Sequence, residues 1–263
     1  MTESDTETGT DTETGTETTI TVGPANARVL WVTGAGSGMG RAAAVAAAGG
    51  RRVALSGRRA GPLAETAALV ERSGGEALVL PLDARDGGAV TQAHASIVST
   101  WGGVDDLVLS AGLNTPQRTW ADQSIGDLEA VIATNLTAVA RVVDAVLPDL
   151  RARGGGQVVV VSSYAGWRFS PHAGVAYSAS KSALASLCQT LNAQEADHGV
   201  RACHLCPGDV DTDFLEHRPV VPGAESRAVM LTSEDVGRAV LFVLDSPAHM
   251  RIDELVISPL SQR

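Results

Sequence analysis

The stretch Val29-Leu30-Trp31-Val32-Thr33-Gly34-Ala35-Gly36-Ser37-Gly38-Met39-Gly40 decides the fold of this chain. A short apolar run leads into a glycine-rich turn, and the alanine-rich segment 41–48 that follows has the composition of a helix packed closely on a sheet. Glycines let the backbone turn sharply, and the free N–H groups of a helix N-terminus favour a phosphate. The order strand, glycine loop, helix therefore predicts a dinucleotide-binding unit, although a glycine cluster alone is equally compatible with a bare turn.

Apolar runs of strand length recur along the chain and alternate with longer segments of helical period. The predicted strands are 29–32, 53–55, 78–80, 107–109, 158–161, 202–205 and 255–257. The predicted helices are 38–49, 60–73, 86–100, 124–153, 175–197 and 233–245. Runs that are apolar on both faces are typical of parallel strands covered by helices. The pattern predicts a single α/β domain with a doubly wound, parallel, seven-stranded sheet (a Rossmann fold) that binds ligands at the carboxyl ends of its strands.

Composition and charge distribution divide the chain into two parts. Its 263 residues are 44% hydrophobic and 19% charged, which excludes a mini-protein, a fibre and a wholly disordered chain. Six of the thirty acidic residues lie within the first nineteen positions. We expect residues 1–25 to form a disordered acidic tail rich in Thr and Glu, either an interaction tail or a solubilising leader. Residues 26–263 are expected to form the dinucleotide-binding domain.

The net charge, the apolar runs and the number of cysteines limit which partners and which cellular compartment we expect for the protein. A formal net charge of -10 disfavours nucleic acid as a partner. The N-terminus has no signal-peptide pattern, and no run approaches the roughly 20 apolar residues that span a bilayer, so we expect a cytoplasmic protein without a membrane partner. Three cysteines are too few for a secreted disulfide framework.

Three further strand ends carry residues suited to a dinucleotide. After the second strand, Arg58 and Arg59 stand where an NAD-selective site presents an acidic residue, and a guanidinium suits the 2′-phosphate of NADP. The alternative is that both are solvated residues at the start of a helix. After the third strand comes Asp83-Ala84, whose carboxylate suits the adenine amino group or only a turn. The small residues Ser110-Ala111-Gly112 end the fourth strand and let a cofactor lie against the backbone, unless the glycine serves a simple turn.

An acid/base constellation follows the fifth strand. Ser163 ends that strand, and Tyr177 and Lys181 are four residues apart on the next predicted helix, so they share one helical face. A nearby ammonium lowers the pKa of a phenol from its usual value of about 10, which makes Tyr177 a general acid/base. The Ser163 hydroxyl can orient the same substrate oxygen. An isolated Tyr-x-x-x-Lys pair is often accidental, but its place in a dinucleotide fold favours catalysis.

These residues together resemble the short-chain dehydrogenase/reductase family over residues 28–263, essentially all of the predicted domain. The family's T-G-x-x-x-G-x-G loop matches Thr33, Gly34, Gly38 and Gly40, with Ser37 and Met39 between them, and its S…Y-x-x-x-K matches Ser163, Tyr177 and Lys181. The family's catalytic Asn falls at Asn135, where the resemblance implies a water that links Lys181 to solvent. Its P-G-x-V-x-T motif falls on Pro207, Gly208, Val210 and Thr212, which would contact the nicotinamide end.

The resemblance implies an oxidoreductase that transfers hydride between NADP(H) and a secondary alcohol or ketone. Tyr177 would be the acid/base, Ser163 would polarise the carbonyl, and Lys181 would hold the ribose and lower the Tyr177 pKa. The family's dimer faces fall on the helices 124–153 and 175–197, which implies a homodimer or homotetramer. The alternatives are an NAD-dependent enzyme of the same family or a catalytically silent NADP(H)-sensing protein, while an epimerase would need a longer C-terminal segment.

Departures from the family pattern are few. The usual N-N-A-G becomes Leu109-Ser110-Ala111-Gly112, and the spacing from Ser163 to Tyr177 is one residue longer than is common. The C-terminal segment is similar to the branch that acts on 3-hydroxy acids and serine with NADP.

Several other residues allow two interpretations. Cys203-His204-Leu205-Cys206 is interpreted as core packing, because strand positions three apart face opposite sides, and we predict no metal site. Aromatic and imidazole side chains near the predicted site are either walls of a substrate pocket or loop anchors. They are Trp167, Phe169, His172, Phe214 and His217.

Overall fold

The structure, a computed structural model, describes residues 27–262 and contains one seven-stranded parallel sheet. The order across the sheet is β3-β2-β1-β4-β5-β6-β7. The strands are β1 (Val29–Thr33), β2 (Arg52–Gly57), β3 (Glu76–Pro81), β4 (Asp106–Leu109), β5 (Gly156–Val161), β6 (Val200–Pro207) and β7 (Glu254–Ile257). The predicted fold class is confirmed. The predicted acidic tail lies outside the described residues.

Helices cover both faces of the sheet. They are α1 (Gly38–Ala46), α2 (Ala60–Arg72), α3 (Gly87–Trp101), α4 (Ile125–Ile132), α5 (Ala138–Ala152), α6 (Tyr164–Trp167), α7 (Val175–Glu195), α8 (Ala224–Arg227) and α9 (Ser233–Leu244). One buried cluster joins the sheet to α3, α5 and α7, and a second joins it to α1, α2 and α9. Every residue of β1, β4 and β5 is buried, as strands covered on both faces must be.

The helix predicted over 124–153 is interrupted in the structure. A π-helical turn, Ala133–Thr137, lies between α4 and α5 and turns Asn135 into the interior. Short π-helical turns inside α-helices are often found at functional sites. Apolar periodicity cannot reveal such a turn, because one extra residue in a single turn barely disturbs the pattern.

The same stretch corrects the expectation about membrane-length segments. Residues Ile125–Ala152 form a helical stretch of 28 residues that, by length and composition, is apolar enough to cross a bilayer. Side chains such as Val139, Val142 and Val146 are buried in the cluster that faces the sheet. Core helices of this kind meet the same criteria, so no membrane location follows.

Candidate active site

The glycine loop between β1 and α1 leaves room for a pyrophosphate. Gly34 has a φ of +67°, and a Cβ there would lie 2.7 Å from the Ala111 backbone nitrogen. A Cβ on Gly40 would overlap the Gly34 carbonyl oxygen. Ser37 caps α1 with an extended backbone but no side-chain hydrogen bond, so the side chain does not occupy the first N–H groups of the helix. These donors and the positive end of the helix dipole fit an anionic group.

A crevice of about 500 Å³ runs from this loop along the carboxyl ends of the strands. Most of the predicted cofactor residues line it. They are Thr33, Gly34, Ser37, Gly38, Met39, Gly40, Arg58, Arg59, Asp83, Ala84, Ser110, Ala111, Gly112, Tyr177, Lys181 and Thr212. The other three, Pro207, Gly208 and Val210, line the neighbouring cavity instead.

Three arginines and one carboxylate lie at the β2–β3 end of the crevice. Arg58 and Arg59 are exposed there. Both Asp83 carboxylate oxygens accept hydrogen bonds from Arg85, the shortest at 2.6 Å, and this pairing lowers the Asp83 pKa. The sequence left Asp83 either to the adenine amino group or to a turn, and it did not indicate Arg85 as its partner.

Asn135 is fully buried beneath the site and lines neither of the two cavities. Its side-chain oxygen accepts a hydrogen bond from Leu113 N (2.7 Å), and its amide donates to Leu113 O (2.9 Å) and to Ser180 Oγ (3.1 Å). These three bonds tie the π-helical turn to the segment after β4 and to α7. In this arrangement Asn135 positions neighbouring backbone, and its predicted link to Lys181 through water stays a prediction.

Ser163, Tyr177 and Lys181 meet where β5 ends and α7 begins. The Lys181 ammonium nitrogen lies 5.7 Å from the centre of the Tyr177 ring and donates to Val161 O (3.0 Å). Ser163 caps α6, its hydroxyl accepting from Ala165 N (3.2 Å), and Ser163 is one of the groups that lower the Tyr177 pKa against the effect of burial. The structure therefore brings the three residues together.

The expected direction of the Tyr177 pKa shift is wrong. Burial raises the pKa of Tyr177, and the groups that oppose this rise are Ser163, Arg218 and Arg118 rather than Lys181. Burial also lowers the pKa of Lys181 to about 8. Removal from water disfavours both the phenolate form of Tyr177 and the ammonium form of Lys181. This effect is larger than the attraction between the two charges that their i, i+4 spacing suggests.

A second cavity, of about 960 Å³, adjoins the crevice. The two share Met39, Ser162, Tyr177, Thr212 and Phe214, and Ser163 lines the second. Tyr177 therefore lies at their junction. The second cavity contains two arginines, Arg118 and Arg218, which no motif indicates and which sequence reasoning missed.

Of the five aromatic and imidazole side chains near the site, four line a cavity and one is a loop anchor. Phe169, His172 and Phe214 line the second cavity, and His217 lines the crevice. Trp167 instead packs edge-on against Tyr164 and under the Arg168 guanidinium, 4.0 Å from its centre, so it is a loop anchor.

The cysteines and His204 lie in buried positions of β6 and α7. Cys203 packs in the cluster beside α1 and α9, and Cys188 in the opposite cluster. Cys206 Sγ is 3.3 Å from His204 Nδ1 and 3.6 Å from Nε2, so the sulfur lies over the ring face. A metal ion bound to His204 Nδ1 would lie in the plane of the imidazole ring, on the side where Glu254 Oε1 is 3.1 Å from Nδ1. The Cys206 sulfur, which lies over the ring face, is not placed to bind the same ion.

The family model for short chain dehydrogenases matches residues 28–219. The chain belongs to this family. The protein is therefore an NAD(P)-dependent oxidoreductase that acts on CH–OH groups, as the resemblance predicted.

This short-chain dehydrogenase is similar to several named proteins. It is 33% identical to the NADP-dependent 3-hydroxy acid dehydrogenase YdfG of Escherichia coli O6:H1, over 81% of this chain and 87% of that protein. It is 32% identical to the glycine betaine reductase ATRR of Emericella nidulans, over 91% of this chain but only 19% of that protein. The closed form of serine dehydrogenase complexed with NADP+ superposes with a TM-score of 0.81 at 30% identity, covering 89% of this chain and 96% of that one.

Proposed function

We propose that this protein interconverts 3-hydroxy acids and 3-oxo acids with NADP(H), with Tyr177 as the acid/base. The observation that carries the proposal is the position of Tyr177 at the junction of the cofactor crevice and the second cavity. A group at that junction can reach both the cofactor and a substrate. We refer to the second cavity as the substrate cavity.

NADP is the preferred cofactor. The 3-hydroxy acid dehydrogenase compared above is named for NADP, and the serine dehydrogenase structure contains NADP+. In this chain Arg58 and Arg59 lie at the crevice end where the adenosine ribose would lie, and guanidinium groups pair well with phosphate.

Proton movement is assigned to the chain's own residues. NADP(H), when bound, supplies or accepts the hydride. Tyr177 donates its phenolic proton to the carbonyl oxygen during reduction and takes it back during oxidation. Its raised pKa keeps the phenol protonated at neutral pH, which suits reduction, while oxidation should accelerate as the pH rises. Ser163 orients the substrate oxygen, and Lys181 holds the ribose.

The charge of the substrate cavity supports an anionic substrate. Arg118 is only 6% exposed and has no carboxylate partner among the described residues. Its guanidinium donates to the backbone oxygens of Thr115 (2.9 Å), His172 (3.5 Å) and His217. Burial and the positive charge of Arg218 both lower the Arg118 pKa. A substrate carboxylate would relieve this concentration of positive charge.

Arg218 provides the test of the carboxylate assignment. Its only ion pair in the described part of the chain is with Asp209, at 2.5 Å, on the edge of the same cavity. We expect Arg218→Gln to lower kcat/KM for 3-hydroxybutyrate about 10- to 100-fold, because a hydrogen bond to a charged group contributes roughly 1.5–3 kcal/mol. For the methyl ester of the same acid, the same substitution should lower kcat/KM much less. The matched control is Arg168→Gln, since Arg168 stacks on Trp167 outside both cavities. Equal losses for acid and ester would contradict a carboxylate site.

The cofactor preference has its own test. Arg58→Asp should lower the ratio of kcat/KM for NADP to that for NAD about 10- to 100-fold, because it removes a phosphate partner and adds a like charge. Arg72→Asp makes the same charge change on an exposed residue of α2 away from the crevice and should leave the ratio unchanged. A wild-type preference for NAD, or an unmoved ratio in Arg58→Asp, would contradict the assignment.

A further inference from the structure

Three large apolar side chains project into solvent at the mouth of the substrate cavity. Trp120 is 85% exposed, Phe169 is 86% exposed and Val220 is 81% exposed. They come from three separate segments: the loop after β4, the loop between α6 and α7, and the loop before α8. All three line the same cavity. We refer to them as the apolar rim.

Two of the three loops that carry the rim, those of Trp120 and Phe169, are held by hydrogen bonds. Next to Trp120, Thr119 N and Thr119 Oγ1 both donate to the Asp122 carboxylate, at 2.7 and 2.6 Å. Val175 N donates to Arg118 O (3.0 Å), which joins this loop to the start of α7. Beside Phe169, Ala173 N donates to Ser170 O (3.1 Å). The side chains of Trp120 and Phe169 are thus exposed on hydrogen-bonded loops, and exposed apolar groups that line one cavity mark a binding groove.

Polarity changes from the inside of the substrate cavity to its mouth. Arg118, which is buried, and Arg218 line the cavity together with Tyr177. The mouth carries the apolar rim. The volume of about 960 Å³ is at the upper end of the range of pockets that enclose drug-sized ligands, far more than a three- or four-carbon acid fills. A molecule that matches this gradient has an anionic group near the reacting carbon and an apolar tail.

We infer that the apolar rim is a binding site for the hydrocarbon substituent of the substrate, and that the protein selects 3-hydroxy acids with an extended alkyl or aryl group on carbon 3. This inference rests on the proposed function and adds its specificity. The tail leaves the reacting carbon toward Trp120, Phe169 and Val220, while the carboxylate stays with the arginines.

A chain-length series tests the inference. We expect kcat/KM for 3-hydroxy acids, from 3-hydroxybutyrate to 3-hydroxyoctanoate, to rise about fourfold for each methylene, which corresponds to about 0.8 kcal/mol. Phe169→Ala should flatten the series, so that the preference for 3-hydroxyoctanoate over 3-hydroxybutyrate falls at least about tenfold. Phe242→Ala removes another exposed phenylalanine, on α9 and outside both cavities, and should keep the wild-type preference.

The outcomes separate the two proposals. Turnover of the four-carbon acid with no gain along the series would overturn the rim as a tail site and leave the proposed function standing. A gain that Phe169→Ala and Phe242→Ala reduce equally would also overturn it. Turnover of simple ketones but of no 3-hydroxy or 3-oxo acid would overturn the proposed function, and the tail site with it.

Discussion

We expect Tyr177→Phe to lower turnover at least about 100-fold and to leave cofactor affinity within a few-fold of wild type. The substitution removes the transferable proton and keeps the ring, which packs 6.1 Å from Phe214 between centroids. General acid/base catalysis contributes about 10²–10⁴ to a rate, so the loss should fall in that range. Steady-state assays give turnover, and quenching of protein fluorescence by NADPH gives affinity.

The matched control is the chain's other tyrosine. Tyr164 packs edge-on against Trp167, and its ring is retained in Tyr164→Phe. That variant should show no comparable loss of turnover. Near-wild-type activity of Tyr177→Phe, or equal losses in both variants, would mean that the proton comes from another group.

Lys181→Met should abolish activity and yet stabilise the protein at neutral pH. Lys181 is 4% exposed, and burial lowers its pKa from 10.5 to about 8. A shift of that size corresponds to roughly 3 kcal/mol against the charged form in the folded state. Methionine removes this penalty but also removes the charge-assisted bond to Val161 O, which contributes roughly 1.5–3 kcal/mol. We therefore expect a gain of up to about 1.5 kcal/mol in the free energy of unfolding at pH 7.

The stability of the wild type should change with pH in the direction that the lowered Lys181 pKa requires. Below pH 8 lysine carries its proton in both states, and the folded state bears the full cost of the buried charge. Between pH 8 and 10.5 the unfolded chain binds more protons than the folded one, so the stability of the wild type rises with pH. Urea unfolding should show that the advantage of Lys181→Met shrinks from pH 8 to pH 10. A variant less stable than wild type at pH 7 would contradict the account.

The parts of the site that the sequence predicted are those encoded by local geometry. Gly34 and Gly40 are needed because a Cβ at either position would meet backbone, and such a requirement is visible in one short segment. Tyr177 and Lys181 are one helical turn apart, so their proximity also follows from local structure. The doubly wound parallel sheet follows from the alternation of strands and helices.

The parts that the sequence did not predict depend on distant contacts. Arg118 reaches the backbone oxygen of His217, 99 positions away, and only the folded chain brings that loop beside Arg218. The pair of Asp83 and Arg85 is the exception, because the two residues are only two positions apart, but their pairing depends on side-chain orientation, which no motif encodes. The Tyr177 pKa depends on burial, and helical spacing carries no information about burial.

The most direct test of the central claim follows the hydrogen on carbon 3 of the substrate. Purified protein is incubated with NADP and 3-hydroxyoctanoate deuterated at carbon 3, and the reduced cofactor is examined by mass spectrometry. The account predicts one deuterium in the cofactor for each 3-oxo acid formed, and transfer at least about 100-fold slower with Tyr177→Phe. Deuterium that is lost to solvent, or transfer at the same rate in wild type and Tyr177→Phe, would contradict it.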